Sequence, residues 1–368
     1  MATYLGRTWT KDELLSFIGD PQQIAGATPF VLADGKADGV KGVRVDTGGG
    51  LEFTVLPGRG MDIAGASYRG LALNLLSGTG ITSPAYYEEP GLNWLRSFFA
   101  GLLTTCGITS AGAPSVDQGR SFGLHGRVSN AGAEDLGIDQ EWEGDEYLIR
   151  VKGRMREAMA LAGENMVLTR RLETRLGAKG FSLYDVVENR GFTEQPLMLL
   201  YHFNFGFPLL GPNARVVAPI RGVEPRDEQA RAGKGVEEAL QVPRPVPDYR
   251  EKVFFLDLAA DPEGRSFVGL LNRDLGDGTP LGIALRFNRR QLPAFTEWKN
   301  PGRGFYVLGL EPGTMVPLGR GPLRERRQLP MLAGQSSYSV RIDFQVLDSP
   351  AEMQALEREA GALRGEKR

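Results

Sequence analysis

The sequence predicts an all-β protein: one large antiparallel β-sandwich with short helices confined to its two ends. Three observations carry this. Glycine accounts for 49 of the 368 residues, nearly twice its average usage of about 7%, and it is dispersed rather than clustered, as many turns between short strands require. Apolar residues alternate with polar ones at period two through most of the chain. No strand–helix–strand alternation occurs, which argues against a parallel, doubly wound sheet.

The elements follow in order. A leader, residues 1–24, holds a short helix opened by Thr10 as N-cap with Asp12 and Glu13 in the first turn, and stopped by Gly19-Asp20-Pro21. A single domain spanning 25–348 then carries the strands. Runs at 42–46, 51–56 and 147–153 alternate, and runs at 166–175 and 181–189 are joined by Leu-Gly-Ala-Lys-Gly, a hairpin connection. Further runs lie at 252–256, 282–287, 304–310 and 337–344. Two stretches interrupt the rhythm: 57–124 reads as more loop than strand, and the Pro-rich 221–250 as a surface excursion or flap. Ser349-Pro350 caps a closing helix or tail over 349–368.

Charge and composition narrow the function. Lys plus Arg number 43 against 45 Asp plus Glu, a formal net charge of −2, so no basic nucleic-acid footprint covers the protein. The single cysteine, Cys106, excludes an intramolecular disulfide framework and a Cys-rich zinc site. The amino terminus lacks the pattern of a secretory signal, and no run reaches the 18 or so apolar residues of a membrane span. A soluble, cytoplasmic protein with no membrane or nucleic-acid partner is the expectation.

Only two histidines occur, so each is informative. His125 lies between glycines in FGLHGR, where backbone and ligand can approach closely, and His202 lies in the apolar run LLYHFNFGFP, where an imidazole is partly desolvated. Glu311 ends an apolar strand before Pro312-Gly313, a place for a carboxylate at a sheet rim or one held for use. Upstream, Thr296-Glu297-Trp298-Lys299-Asn300-Pro301 combines an aromatic platform, an ammonium and an amide, an inventory suited to a polyol. Glu297 with Glu311 could also form a glycosidase carboxylate pair, although both histidines would then be idle. Nucleophile-elbow, phosphate-loop and zinc-protease motifs are absent, and two histidines cannot build a His-rich metal site.

The chain resembles the aldose 1-epimerases, or galactose mutarotase-like proteins, from about residue 25 to 346. The resemblance is carried by PGRGMDI (57–63), LTTCGITSAG (103–112), GLHGR (123–127), LLYHFNFG (199–206) and WKNPGRGFYVLGLEPGT (298–314), in that order and spacing. It implies a β-supersandwich with a sugar bound across its concave face, and anomer interconversion by ring opening and closure without cofactor or metal. It implies His202 as general acid and Glu311 as general base, facing each other with room for one sugar ring between them. His125, Arg59, Asp62, Arg96, Arg127, Asn204, Trp298 and Lys299 are the expected substrate-binding residues. Tyr201 departs from the asparagine that precedes the family's histidine. The cations Arg59, Arg96, Arg127 and Lys299 suit an acidic or modified sugar, or else serve internal ion pairs such as Arg59 with Asp62. The alternative of another class is a sugar-binding sandwich without turnover.

Overall fold

In the computed structural model, which describes residues 1–161 and 163–365, two antiparallel sheets of eleven and eight strands pack face to face. The eight-stranded sheet is built from the long alternating runs, among them Glu146–Ala158, Asn165–Arg175, Gly180–Asn189, Leu281–Asn288 and Ser337–Leu347. The eleven-stranded sheet orders its middle as Lys252–Leu258, Ala294–Gly302, Phe305–Gly313, Leu200–Phe205, Leu103–Cys106 and Asp62–Tyr68. The chain therefore brings residues about 100 positions apart side by side in that sheet.

The interior between the sheets is apolar, and aromatic pairs tie the two layers: Phe53 meets Phe181 at 4.9 Å and Phe287 meets Phe295 at 5.7 Å between ring centroids. Each such fully buried side chain contributes about 1.5–3 kcal/mol through the water it sheds. One charged group bridges the layers as well. Arg170, from the eight-stranded sheet, makes a bidentate pair with Asp185 at 2.9 and 2.6 Å and reaches Thr105 Oγ1 at 2.9 Å and Asp62 Oδ1 at 3.4 Å in the opposite sheet. Tyr201 donates its hydroxyl to Asp185 at 2.8 Å, which accounts for a phenol on the inward side of its strand.

The expected strands all form, with two corrections. Residues 57–124 contain two central strands, Asp62–Tyr68 and Leu103–Cys106, whose alternation was masked by Ala, Gly and Thr buried on both faces. The excursion opens with a strand, Ile220–Pro225, at the sheet edge before short helical turns at Glu228–Arg231 and Gly235–Glu238. A hairpin of Ala2–Tyr4 with Arg7–Trp9 precedes the leader helix, for which no signal was read. That helix, Lys11–Leu15, has the reciprocal Thr10–Glu13 capping box. The closing helix, Pro350–Arg364, starts on a Ser349 cap and seats Met353, Leu356 and Ala360 against Phe267, Leu271 and Ala284. Among the described residues no helix is long and apolar enough to cross a membrane.

Candidate active site

A second apolar cluster covers the outer face of the eleven-stranded sheet, and the site lies at its margin. Trp94 and Phe98, from a 3₁₀ turn at Asn93–Ser97 and the residue after it, fold over the strand Leu200–Phe205. Strand periodicity then sorts the polar residues. Tyr201, Phe203 and Phe205 face the interior, so His202 and Asn204 face outward. On the neighbouring strand Leu308 and Leu310 face the interior, so Glu311 faces outward.

Register completes the arrangement. Phe203 opposes Leu310 and Leu200 opposes Gly313, which sets His202 beside Glu311, and Glu311 in turn opposes Thr296. His202 Nε2 stands 3.2 Å from Glu311 Oε1. No sugar ring fits between groups so close, which corrects the expectation of a facing pair: as cross-strand neighbours they form one floor on this face of the sheet. Aromatic rings wall this floor. Around His202 stand Trp298 at 5.2 Å, Phe98 at 5.5 Å and His125 at 5.7 Å between ring centroids. Trp94 lies against His125 at 4.8 Å.

His125 reaches this wall from a loop held in a left-handed turn, φ 60°. Its N–H donates to Gly112 at 2.9 Å and its carbonyl accepts from Gly107 at 3.1 Å. Gly126 follows at φ 75°, and a Cβ there would lie 2.1 Å from the Ser110 carbonyl, so the turn has room for glycine alone. Gly309 serves the floor in the same way, since a Cβ would lie 2.6 Å from Glu311 Oε1 and 3.1 Å from Trp298.

The electrostatics follow from burial. His202 and Glu311 are 4% and 2% exposed. Desolvation, with His125 nearby, pushes the His202 imidazole well below its usual range, and desolvation pushes the Glu311 carboxyl well above its own. His125 is pushed down to about 4 for the same reason. Burial thus disfavours the charged form of both groups. Several buried polar atoms here have no hydrogen-bond partner: His202 Nδ1, His125 Nδ1, Asn204 Oδ1 and Thr296 Oγ1. Such groups cost about 1–3 kcal/mol each while unpaired, and a molecule rich in hydroxyls would satisfy them.

Of the residues expected to act together, His202, Glu311, His125, Trp298 and Asn204 come together, while five others are placed elsewhere. Arg59 is 1% exposed and donates to the carbonyls of Ser129, Thr82 and Ser97, pinning three loop segments, and burial pushes its pKa down to about 10. Asp62 accepts from the Thr105 N–H at 2.9 Å and belongs to the interior Arg170 group, not to an Arg59 pair. Lys299, one residue beyond Trp298, faces inward and donates to the carbonyls of Glu238 and Gln241 in the excursion. Arg127 is engaged by Glu89, Glu157 and Glu164, and Arg96 projects from the outer side of the turn whose Trp94 is buried. These placements remove the cations on which an acidic sugar was expected. Glu297 opposes Leu310 and so points into the interior, away from Glu311, which removes the glycosidase pair.

Trp94, Phe98 and Glu251 were missed, and Thr296 stood in the polyol-suited stretch 296–301 without a role of its own. Trp94 and Phe98 read as apolar insertions in a loop, and Glu251 as one charge among many in the excursion. Glu251 accepts from Trp298 Nε1 at 2.7 Å and from Arg226 at 3.3 Å at the rim. Among the described residues no group of three or more His, Cys, Asp or Glu is arranged to hold a metal ion.

The chain belongs to the family described as a domain of unknown function (DUF4432), whose model matches residues 37–346. No curated protein matches it. Among solved structures it is similar to a candidate aldose 1-epimerase from Klebsiella pneumoniae, with a TM-score of 0.87 and 27% identity over 98% of this chain and 92% of that one. A galactose mutarotase-like protein from Clostridium acetobutylicum matches at a TM-score of 0.59 and 14% identity, over 89% of this chain and all, 100%, of its own. The galactose 1-epimerase from Lactobacillus acidophilus matches at 0.56 and 10% identity, over 88% and 99%. The fold is thus galactose mutarotase-like.

Proposed function

We propose that this member of the DUF4432 family is an isomerase that interconverts the anomers of a sugar by general acid–base ring opening, with His202 and Glu311 as the reacting pair. The observation that carries the reading is their 3.2 Å contact on a floor of unpaired polar atoms. The reaction works on two oxygens bonded to one carbon, O1 and O5 on C1, so its acid and base must themselves be neighbours. Adjacent strands supply that spacing.

Glu311 takes the proton of the O1 hydroxyl while His202 protonates O5. The C1–O5 bond breaks, the C1–O1 bond becomes a carbonyl, and the open chain turns about C1–C2. Reclosure with the roles exchanged gives the other anomer and returns both groups to their starting state. The pair needs one proton in all, and burial favours the state in which Glu311 holds it and His202 is neutral. Sugar hydroxyls donated to the carboxylate would stabilise its charged form and move that proton to His202. His125, Asn204 and Thr296 would hold the remaining hydroxyls, and Trp298 the C–H face of the ring.

The test is the exchange rate of α-anomers of D-galactose, D-glucose and D-xylose, followed by polarimetry and NMR. The purified protein should accelerate at least one, and His202→Ala or Glu311→Gln should remove about 10²–10⁴-fold of kcat with the fold retained. In the pH profile of kcat/KM the limb set by the imidazole should lie below its ordinary value of about 6.5 and the limb set by the carboxyl above its ordinary value of about 4.3, because burial pushes the first down and the second up. Sugar binding without acceleration would instead identify a sugar-binding sandwich, and neither binding nor acceleration would overturn both.

A further inference from the structure

We propose that Glu251 is a positioning residue of this site: its carboxylate fixes the plane of the Trp298 indole, and Lys299 fastens the segment that delivers it. The inference rests on the isomerase reading, since it concerns how that site holds its sugar.

An aromatic platform binds a sugar face only if its plane is held. Trp298 is half-buried, and opposite it on the next strand stands Gly309, which has no side chain to wedge the ring. Its ring neighbours are His202 at 5.2 Å, Phe305 at 5.9 Å and Phe98 at 6.2 Å between centroids, contacts that leave the indole N–H to another partner. The indole's one polar handle is Nε1, and its partner is Glu251 Oε2 at 2.7 Å. The other oxygen, Oε1, accepts from Arg226 Nη2 at 3.3 Å, so the carboxylate is held at both ends.

Glu251 closes the excursion just before the strand Lys252–Leu258, and the excursion is fastened along the tip of the hairpin that carries Trp298. The Val246 N–H donates to the Pro301 carbonyl at 2.8 Å, and the Tyr306 hydroxyl to the Pro243 carbonyl at 2.6 Å. Lys299 bonds the carbonyls of Glu238 and Gln241 from the inward face. Because successive residues of a strand point to opposite faces, Trp298 is gripped by the excursion's end while Lys299 grips its middle. The ammonium expected to bind substrate thus serves the site indirectly, by setting the path of the segment that ends at the indole.

Glu251→Ala should move the Trp298 indole N–H resonance, assigned by its loss in Trp298→Phe, and raise KM roughly tenfold; kcat is expected to change as well, because the Glu251 charge also acts on Glu311. Glu251→Gln should restore the resonance and KM, because the amide oxygen accepts the same bond. An unmoved resonance, or an unchanged KM in Glu251→Ala, would overturn the inference. Failure of Glu251→Gln to restore KM would do so as well, since the charge rather than the held ring would then matter. If the unaltered protein accelerates none of the α-anomers of galactose, glucose and xylose, the isomerase reading falls and takes this inference with it. If it turns over and Glu251→Ala binds normally, the inference alone falls.

Discussion

The strand Leu200–Phe205 separates two buried polar groups built on opposite faces of the same sheet. Inside, Tyr201, Asp185, Arg170 and Thr105 exchange hydrogen bonds among themselves, and each Arg170 nitrogen has an acceptor. Outside, His202, Asn204, Glu311 and Thr296 are buried as deeply, and His202, Asn204 and Thr296 keep unpaired atoms. Both groups cost desolvation, but the first recovers most of it within the chain, leaving Asp62 Oδ2 unpaired. The inner group therefore bridges the sheets, and the outer one keeps atoms free that the proposed sugar would pair.

The largest effect expected from this contrast is on the inner group. Arg170→Met would leave Asp185 and Asp62 buried without their cation, and the loss should be about 3–5 kcal/mol in urea denaturation. A loss under about 1 kcal/mol would show that the inner group does not bind the layers together.

On the outer face the sign should reverse. Thr296→Val removes a hydroxyl that has no partner and keeps the shape, so stability should hold or rise by up to about 1 kcal/mol, while KM for the accelerated sugar rises several-fold. A destabilised Thr296→Val with unchanged KM would make this face as structural as the other.

The two faces were unequally legible in the sequence. The alternation that sets a residue's face was plain in the long runs of the eight-stranded sheet, and both histidines stood out by their rarity and their neighbours. Glu311 was marked by a charge at the end of an apolar run. Three of the displaced residues, Arg59, Arg127 and Lys299, were not legible for one physical reason: a cation's type says what it can bind, while its partners here are distant backbone carbonyls or carboxylates. Arg59 binds carbonyls of residues 82, 97 and 129, which share no sequence signal with it. Trp94 and Glu251 lie in irregular segments, where no period assigns a face.

Glu297 is the sharpest challenge to the contrast, because both of its carboxyl oxygens are unpaired on the inner face. Burial answers for it: desolvation, opposed by Lys299, pushes its pKa up to about 8, so the group is uncharged across the neutral range. A carboxyl whose pKa is raised by folding supports the folded state fully below its unfolded value of about 4.3, and that support is lost as pH rises through about 8. Glu297→Gln, which cannot ionise, should match the unaltered protein near pH 4 and become progressively the more stable of the two toward pH 8 in urea denaturation. Its sugar turnover should stay within about twofold, the smallest change expected of any site discussed, because the side chain points away from His202 and Glu311. If turnover collapsed with the fold intact, an unpaired inner group would be serving the reaction, and satisfaction of hydrogen bonds would no longer distinguish the two faces.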